Sequence, residues 1–284
     1  MDRSARVDES SDAFAAAERP PFRTPVGLLR FLTVSGLAGL VAGIIVGGAG
    51  ARLFMRIAGA AAGERARGAT TEAGFTVGEI TVGGTVELVV FVGIFAGIVG
   101  ASLYVLFRPW LAWAGPWRGT AFGVVLFALG SATSDVLNPD NVDFAILGNK
   151  FLVVATAFAL FIGFGALIDA AFRWLDRRLP EASPSHPVAF IVYAVFTVLG
   201  LVAGTALLAQ AMFTRNTCDC DPPVAASLFV VVTAVGTLGW IASAFFSSAR
   251  LRWASRVVGL TGLVGASAAG LMRAIGDAAA IIRG

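Results

Sequence analysis

Arg52 and Arg56 lie four residues apart, so on a helix they share one face. Asp135, Asn138, Asp140, Asn141 and Asp143, followed by Lys150, form a second polar stretch. The topology derived below puts both groups on the outer side of a membrane. There they could neutralise each other as ion pairs at the lipid boundary, or line a vestibule for an anion or small solute. Asn138-x-Asp140 opens like a calcium loop. Val142 stands where the next oxygen ligand belongs and no Gly-x5-Glu follows, so no calcium site is expected. The only cysteines, Cys218 and Cys220, alternate with Asp219 and Asp221. Outside the membrane they could form a disulfide within the loop or to another chain, or stay as free thiols. Four adjacent residues hold zinc poorly, so no metal is expected there.

The remaining inventory is thin. Glu87 and Asp135 fall near outer helix ends, and Gln210 is neutral. Asp169 stands four residues before Arg173, which predicts an ion pair, and Arg273 and Asp277 have the same spacing. Intramembrane charges mark proton relays and ion-coupled carriers, and their scarcity argues against both. Lys150 lies at a helix end and cannot serve as a mid-span Schiff base. His186 sits in a Pro-Ser-His-Pro connection, and with one histidine there is no ligand set for haem or a metalloprotease. No phosphate loop, dinucleotide fingerprint or nucleophile elbow is present. The reading is a non-enzyme with no cofactor.

Composition says where such a chain must sit. Of 284 residues, 57% are hydrophobic and 14% charged, with a mean hydropathy of +0.82. Soluble domains are about 45–50% apolar and about 25% charged. The charged residues are too few to coat soluble domains, and the net charge of +3 is scattered, so nucleic acid is not a partner. A bilayer-spanning helix needs about 20 mostly apolar residues. Six runs qualify: 26–50, 86–107, 119–136, 151–172, 187–213 and 224–249. A seventh, 257–282, is interrupted by Arg273 and Asp277 and reads as a span, the alternative being a helix along the interface. The fold class is therefore an all-α polytopic bundle over 26–284, with 51–85 as its longest outer loop. Within that loop, residues 74–85 alternate apolar and polar types between glycines, predicting a short β-hairpin or extended cap. Residues 1–25 are polar and mixed in charge, carry no signal-peptide core, and read as a disordered cytoplasmic tail.

Arginine distribution sets orientation. With the N-terminus inside, inner segments hold thirteen basic residues and outer ones seven, and the 173–186 and 250–256 connections are basic. The four arginines between 51 and 67 run against this. The location is a bacterial cytoplasmic membrane with the N-terminus cytoplasmic. Trp110, Trp113, Trp117, Trp174 and Trp253 fall at inner helix ends, as an interfacial belt would.

Glycine numbers 34. Small residues four apart let membrane helices approach closely, and Gly39/Gly43/Gly47, Gly93/Gly97 and Gly200/Gly204 form such ridges. They predict tight packing within the chain, with association to a second copy or another membrane protein as the alternative. Gly39–Gly43 and Gly200–Gly204 are both GLVAG, and Gly97-x-x-Gly100 is matched by Gly236-x-x-Gly239. This would fit a three-plus-one-plus-three duplication. A chain so rich in Gly, Ala, Val and Leu also produces such matches by chance.

Several short motifs carry a resemblance. They are Arg52 with Arg56, Gly74-Phe-Thr-Val-Gly78, Gly84-Thr85, Arg108-Pro-Trp-Leu111, Arg118-Gly119, Phe122-Gly123 and Asn138-Pro-Asp-Asn-Val-Asp-Phe144. Over about residues 30–175 the chain resembles a group of multi-pass membrane proteins from actinobacteria and related high-GC bacteria. The resemblance implies a membrane fold and brings no activity with it. Two functional expectations stand: passage of a small solute or ion through an outer vestibule at Arg52, Arg56, Asp135, Asp140, Asp143 and Lys150, or a non-catalytic subunit that packs against partners in the bilayer.

Overall fold

The computed structural model describes residues 20–62, 82–87, 89, 93–133, 136–137, 150–180, 187–213, 224–246 and 248–283. Helix α1 spans Pro25–Ala42 and runs through a π-helical stretch, Gly43–Gly50, into α2, Ala51–Ala62. Then come α3 (Val82–Glu87), α4 (Gly93–Phe107), a 3-10 stretch (Arg108–Trp117) and α5 (Arg118–Thr133). Long helices complete the chain: α6 (Lys150–Arg178), α7 (Pro187–Phe213), α8 (Val224–Phe246) and α9 (Ala249–Arg283). No strand occurs among the described residues. The expected hairpin over 74–85 is corrected at its end, because Val82–Glu87 is helical. Residues 63–81 lie outside the described residues.

Six helical stretches are long and apolar enough to cross a membrane, one of them the 41-residue run Gly93–Thr133. As one straight helix that run would be about 60 Å long, twice the thickness of a bilayer core. It reverses instead. Pro109 and Pro116 deprive the connection of two backbone donors, and Gly115 takes φ 52° and ψ −119°, a conformation closed to residues with a side chain. Close approaches show the two limbs pointing opposite ways. Gly39 of α1 meets Ala101 and Gly43 meets Gly97, so α4 is antiparallel to α1. Gly119 meets Gly165 and Gly123 meets Phe161, so α5 is antiparallel to α6. Phe31 meets Phe172 edge to face while Gly50 faces Leu160, so α1 is antiparallel to α6 as well. Thus α4 and α5 run in opposite directions. Among the described residues, with Gly93–Thr133 counted as two, seven apolar limbs alternate between a proximal end (Pro25, the 108–117 turn, Arg178, Phe246) and a distal end (Gly50, Thr133, Lys150, Arg283). Helix α9, read with an interfacial alternative, packs along α8 and α5 from Ser255 to Gly270 and traverses the bundle.

Thr24 starts α1 by accepting a hydrogen bond from the Gly27 amide (3.1 Å), with Pro25 in the first turn. Phe22, inside the segment read as tail, is buried against Phe31 and Trp240. Order therefore begins before residue 25, because an aromatic ring there finds a hydrophobic seat.

The glycine ridges pack within the chain, with one correction. A side-chain carbon at Gly43 would lie 2.6 Å from the Gly97 Cα, so the backbones of α1 and α4 touch. Beyond them Gly48, in the π-helical stretch, meets Val89. Gly204 meets Ser102, whereas Gly200 has nothing within 4 Å. The duplication is not seen. Gly236 packs on Gly259 of its sequence neighbour α9, whereas Gly97 packs on Gly39 and Leu40 of α1. Trp113, Trp117, Trp174 and Trp253 are exposed at the proximal end as expected of a belt. Trp110 is not part of it: the ring is buried, lies over Gly259, and donates to Thr237 Oγ1 at 3.0 Å.

Candidate functional site

The expected outer cluster is only partly within the described residues. Arg52 is half-buried on α2 and its buried Nη2 has no hydrogen-bond partner, while Arg56, one turn on, is exposed. Lys150 is half-buried at the start of α6, at the same distal end. Asp135, Asp140 and Asp143, the loop holding Cys218 and Cys220, and His186 all lie outside the described residues.

A denser polar cluster sits at the proximal end, where sequence reasoning found only one of its bonds. Asp169 on α6 is 1% exposed. Its Oδ1 accepts a 2.6 Å hydrogen bond from the Tyr104 hydroxyl on α4. Its Oδ2 stands 2.5 Å from Arg173 Nη1, the pair expected from the four-residue spacing, in contact but without hydrogen-bond geometry. Arg108 Nε donates to the Tyr104 oxygen at 3.3 Å. The Arg108 guanidinium lies 4.3 Å from the Phe172 ring centre and 5.5 Å from that of Phe31. Aromatic faces thus hold a charge that the apolar surroundings would otherwise disfavour. Arg118 opens α5 next to Gly119, whose missing side chain lets the Asp169 Cβ approach. Arg118 Nε is buried and has no hydrogen-bond partner among the described residues.

Four elements therefore converge on one carboxylate: α4, the 3-10 turn, α5 and α6. A buried Asp is tolerated only when paired and hydrogen-bonded, and this one has both a phenol and guanidinium groups. Three arginines face it, so the cluster keeps an excess of positive charge. The convergence was hidden in the sequence because it depends on α4 and α6 lying parallel, which puts Tyr104 level with Asp169 and Phe172. Their sequence separation carries no such signal.

Beside this cluster, Arg30 of α1 holds the end of α6. It donates to the carbonyls of Asp176, Leu179 (3.1 Å) and Pro180 (3.2 Å), and pairs with the Asp176 carboxylate at 2.5 Å. These are the carbonyls that a helix terminus leaves unsatisfied, so Arg30 acts as a cap supplied from another helix. On α9, Arg273 and Asp277 pair at 3.4 Å, as their spacing implied. Among the described residues no three His, Cys, Asp or Glu side chains gather as a metal site.

Apolar limbs of this length, with charge confined to their ends and to paired groups, define an integral multi-pass α-helical membrane protein. No family model, curated protein or solved structure matches the chain.

Proposed function

We propose that this chain is a non-catalytic membrane subunit that docks a further transmembrane helix on α7, with its proximal end in the bacterial cytoplasm. The observation that carries this reading is how sparingly α7 is attached. It meets α1 and α4 through one stripe: Tyr193, Thr197 and Gly204 are buried. Thr33 donates to the Tyr193 carbonyl (3.1 Å) and Thr197 to the Leu29 carbonyl (3.2 Å). Ile191, Val195, Val198, Leu199 and Val202 face outward, and Gly200 among them is open. Between helices in lipid there is no hydrophobic drive, so close packing at small residues and a few hydrogen bonds decide association. Gly200 offers that close approach and no described residue uses it. The cytoplasmic placement rests on the arginine excess at the proximal end, including Arg173, Arg177, Arg178, Arg250, Arg252 and Arg256.

Photo-crosslinking residues placed at Leu199 and Val202 test this in intact cells. The expected result is one discrete protein adduct, lost in Gly200→Leu, whose mass tells a second copy from another protein. Adducts with lipid alone would contradict it.

The second reading, passage of a solute past Arg52 and Arg56, is favoured by the unpartnered buried nitrogen of Arg52. Against it, the interior beneath is filled: Val34, Ala38 and Ala42 of α1 are fully buried in a core shared with Phe107, Phe122 and Phe164. Solute flux in proteoliposomes, abolished by Arg52→Ala, would move the reading to passage.

A further inference from the structure

We infer that the proximal arginine cluster binds a phosphate-bearing anion, brought by the headgroup of an anionic lipid or by free phosphate. The inference is independent of which partner α7 docks. Three guanidinium groups share a single carboxylate among the described residues, and their commitments differ. Arg108 is spent on Tyr104 and on the faces of Phe31 and Phe172. Arg173 is spent on Asp169. Among the described residues Arg118 makes no hydrogen bond or ion pair, and its Nε is shut off from solvent without a partner. A guanidinium presents five donors in a fixed fork that matches phosphate oxygens, and burying its donors without partners is costly.

The position suits a ligand from the membrane boundary. Arg118 follows Trp117, and Trp117 and Trp174 are exposed at this end, where tryptophan marks headgroup depth. Arg173, about half exposed, can turn an amino group outward while its neighbour stays on Asp169. Arg118 and Arg173 would thus grip one phosphate from two sides, and the anion would offset the charge that Asp169 leaves unbalanced. Basic pockets between transmembrane helices recognise anionic headgroups on the same physical grounds.

Thermal unfolding of the purified full chain in neutral detergent tests this. Separate samples receive phosphatidylglycerol, phosphatidylcholine or inorganic phosphate. The expected result is a rise of a few degrees with phosphatidylglycerol and none with phosphatidylcholine. A matching rise with inorganic phosphate identifies free phosphate as the ligand, and its absence identifies the lipid. Arg118→Gln should unfold near the parent temperature without ligand, since it breaks no bond, and should lose the ligand-induced rise. Arg118→Lys should keep part of it. The double variant Arg250→Gln/Arg252→Gln, which removes two charges elsewhere at the same end, should keep it all. Equal rises with both lipids, no rise with any ligand, or a full rise in Arg118→Gln would overturn the inference.

Discussion

Asp169→Ala should be the most damaging single substitution at the proximal end, lowering stability by about 3 kcal/mol. Removing the one carboxylate that the described residues bring to the cluster strips Tyr104 of its acceptor and leaves Arg108, Arg118 and Arg173 facing one another across a mostly closed site. Losing one partner of a buried pair costs about 3–5 kcal/mol, because the surviving charge has nowhere to go. The lower end of that range applies, since Arg173 is half exposed and can reach water. Asp169→Asn should cost less: the amide oxygen still accepts from Tyr104, and only the charge is lost. Adding Arg118→Gln to Asp169→Ala should recover part of the deficit, because it removes one of the repelling charges. Urea or dodecyl sulfate titration of purified protein, followed by tryptophan fluorescence, reads all three. Equal loss in Ala and Asn, with no recovery in the double variant, would mean that charge is not what Asp169 supplies.

Gly43→Leu should be at least as severe, by overpacking. The first carbon of any side chain at 43 would stand 2.6 Å from the Gly97 Cα, and what it meets is backbone. No side chain can swing aside, so α1 and α4 must separate along the ridge that also brings Gly39 to Ala101. Overpacking costs about 1–3 kcal/mol where a core can adjust, and more where it cannot. The expected outcome is loss of monodisperse protein in size-exclusion chromatography. Gly200→Leu is the matched control. With nothing within 4 Å of that position, stability should stay within about 0.5 kcal/mol of the parent. Similar behaviour of the two variants would contradict the packing described.

How much of this was readable in advance depends on the range of each interaction. The Asp169–Arg173 and Arg273–Asp277 pairs were legible, because four-residue spacing on a helix is local. The reversal between α4 and α5 was legible too, since Arg108, Pro109, Pro116 and Arg118 interrupt the apolar run. The π-helical stretch was not: it leaves no mark in a string of Gly, Ile, Val and Ala. Trp110 looked like its belt neighbours, and only the hole at Gly259 and the Thr237 hydroxyl draw it inside. The Tyr104–Asp169 bond joins residues 65 apart and depends on helices whose neighbour relations composition does not encode. The apparent duplication failed for the converse reason, since a small alphabet repeats words without repeating contacts.

The central claim is that Gly93–Thr133 is two crossings folded at Gly115, which brings Arg108, Arg118 and Asp169 to the end where the chain enters. A cysteine-free parent carrying one new cysteine at Arg23, Met55, Trp113 or Ile282, all exposed, decides it by labelling with a membrane-impermeant maleimide in sealed vesicles of known orientation. The account predicts that positions 23 and 113 label from one face and positions 55 and 282 from the other. Labelling of position 113 from the same face as position 55 would make Gly93–Thr133 a single crossing and dissolve the cluster.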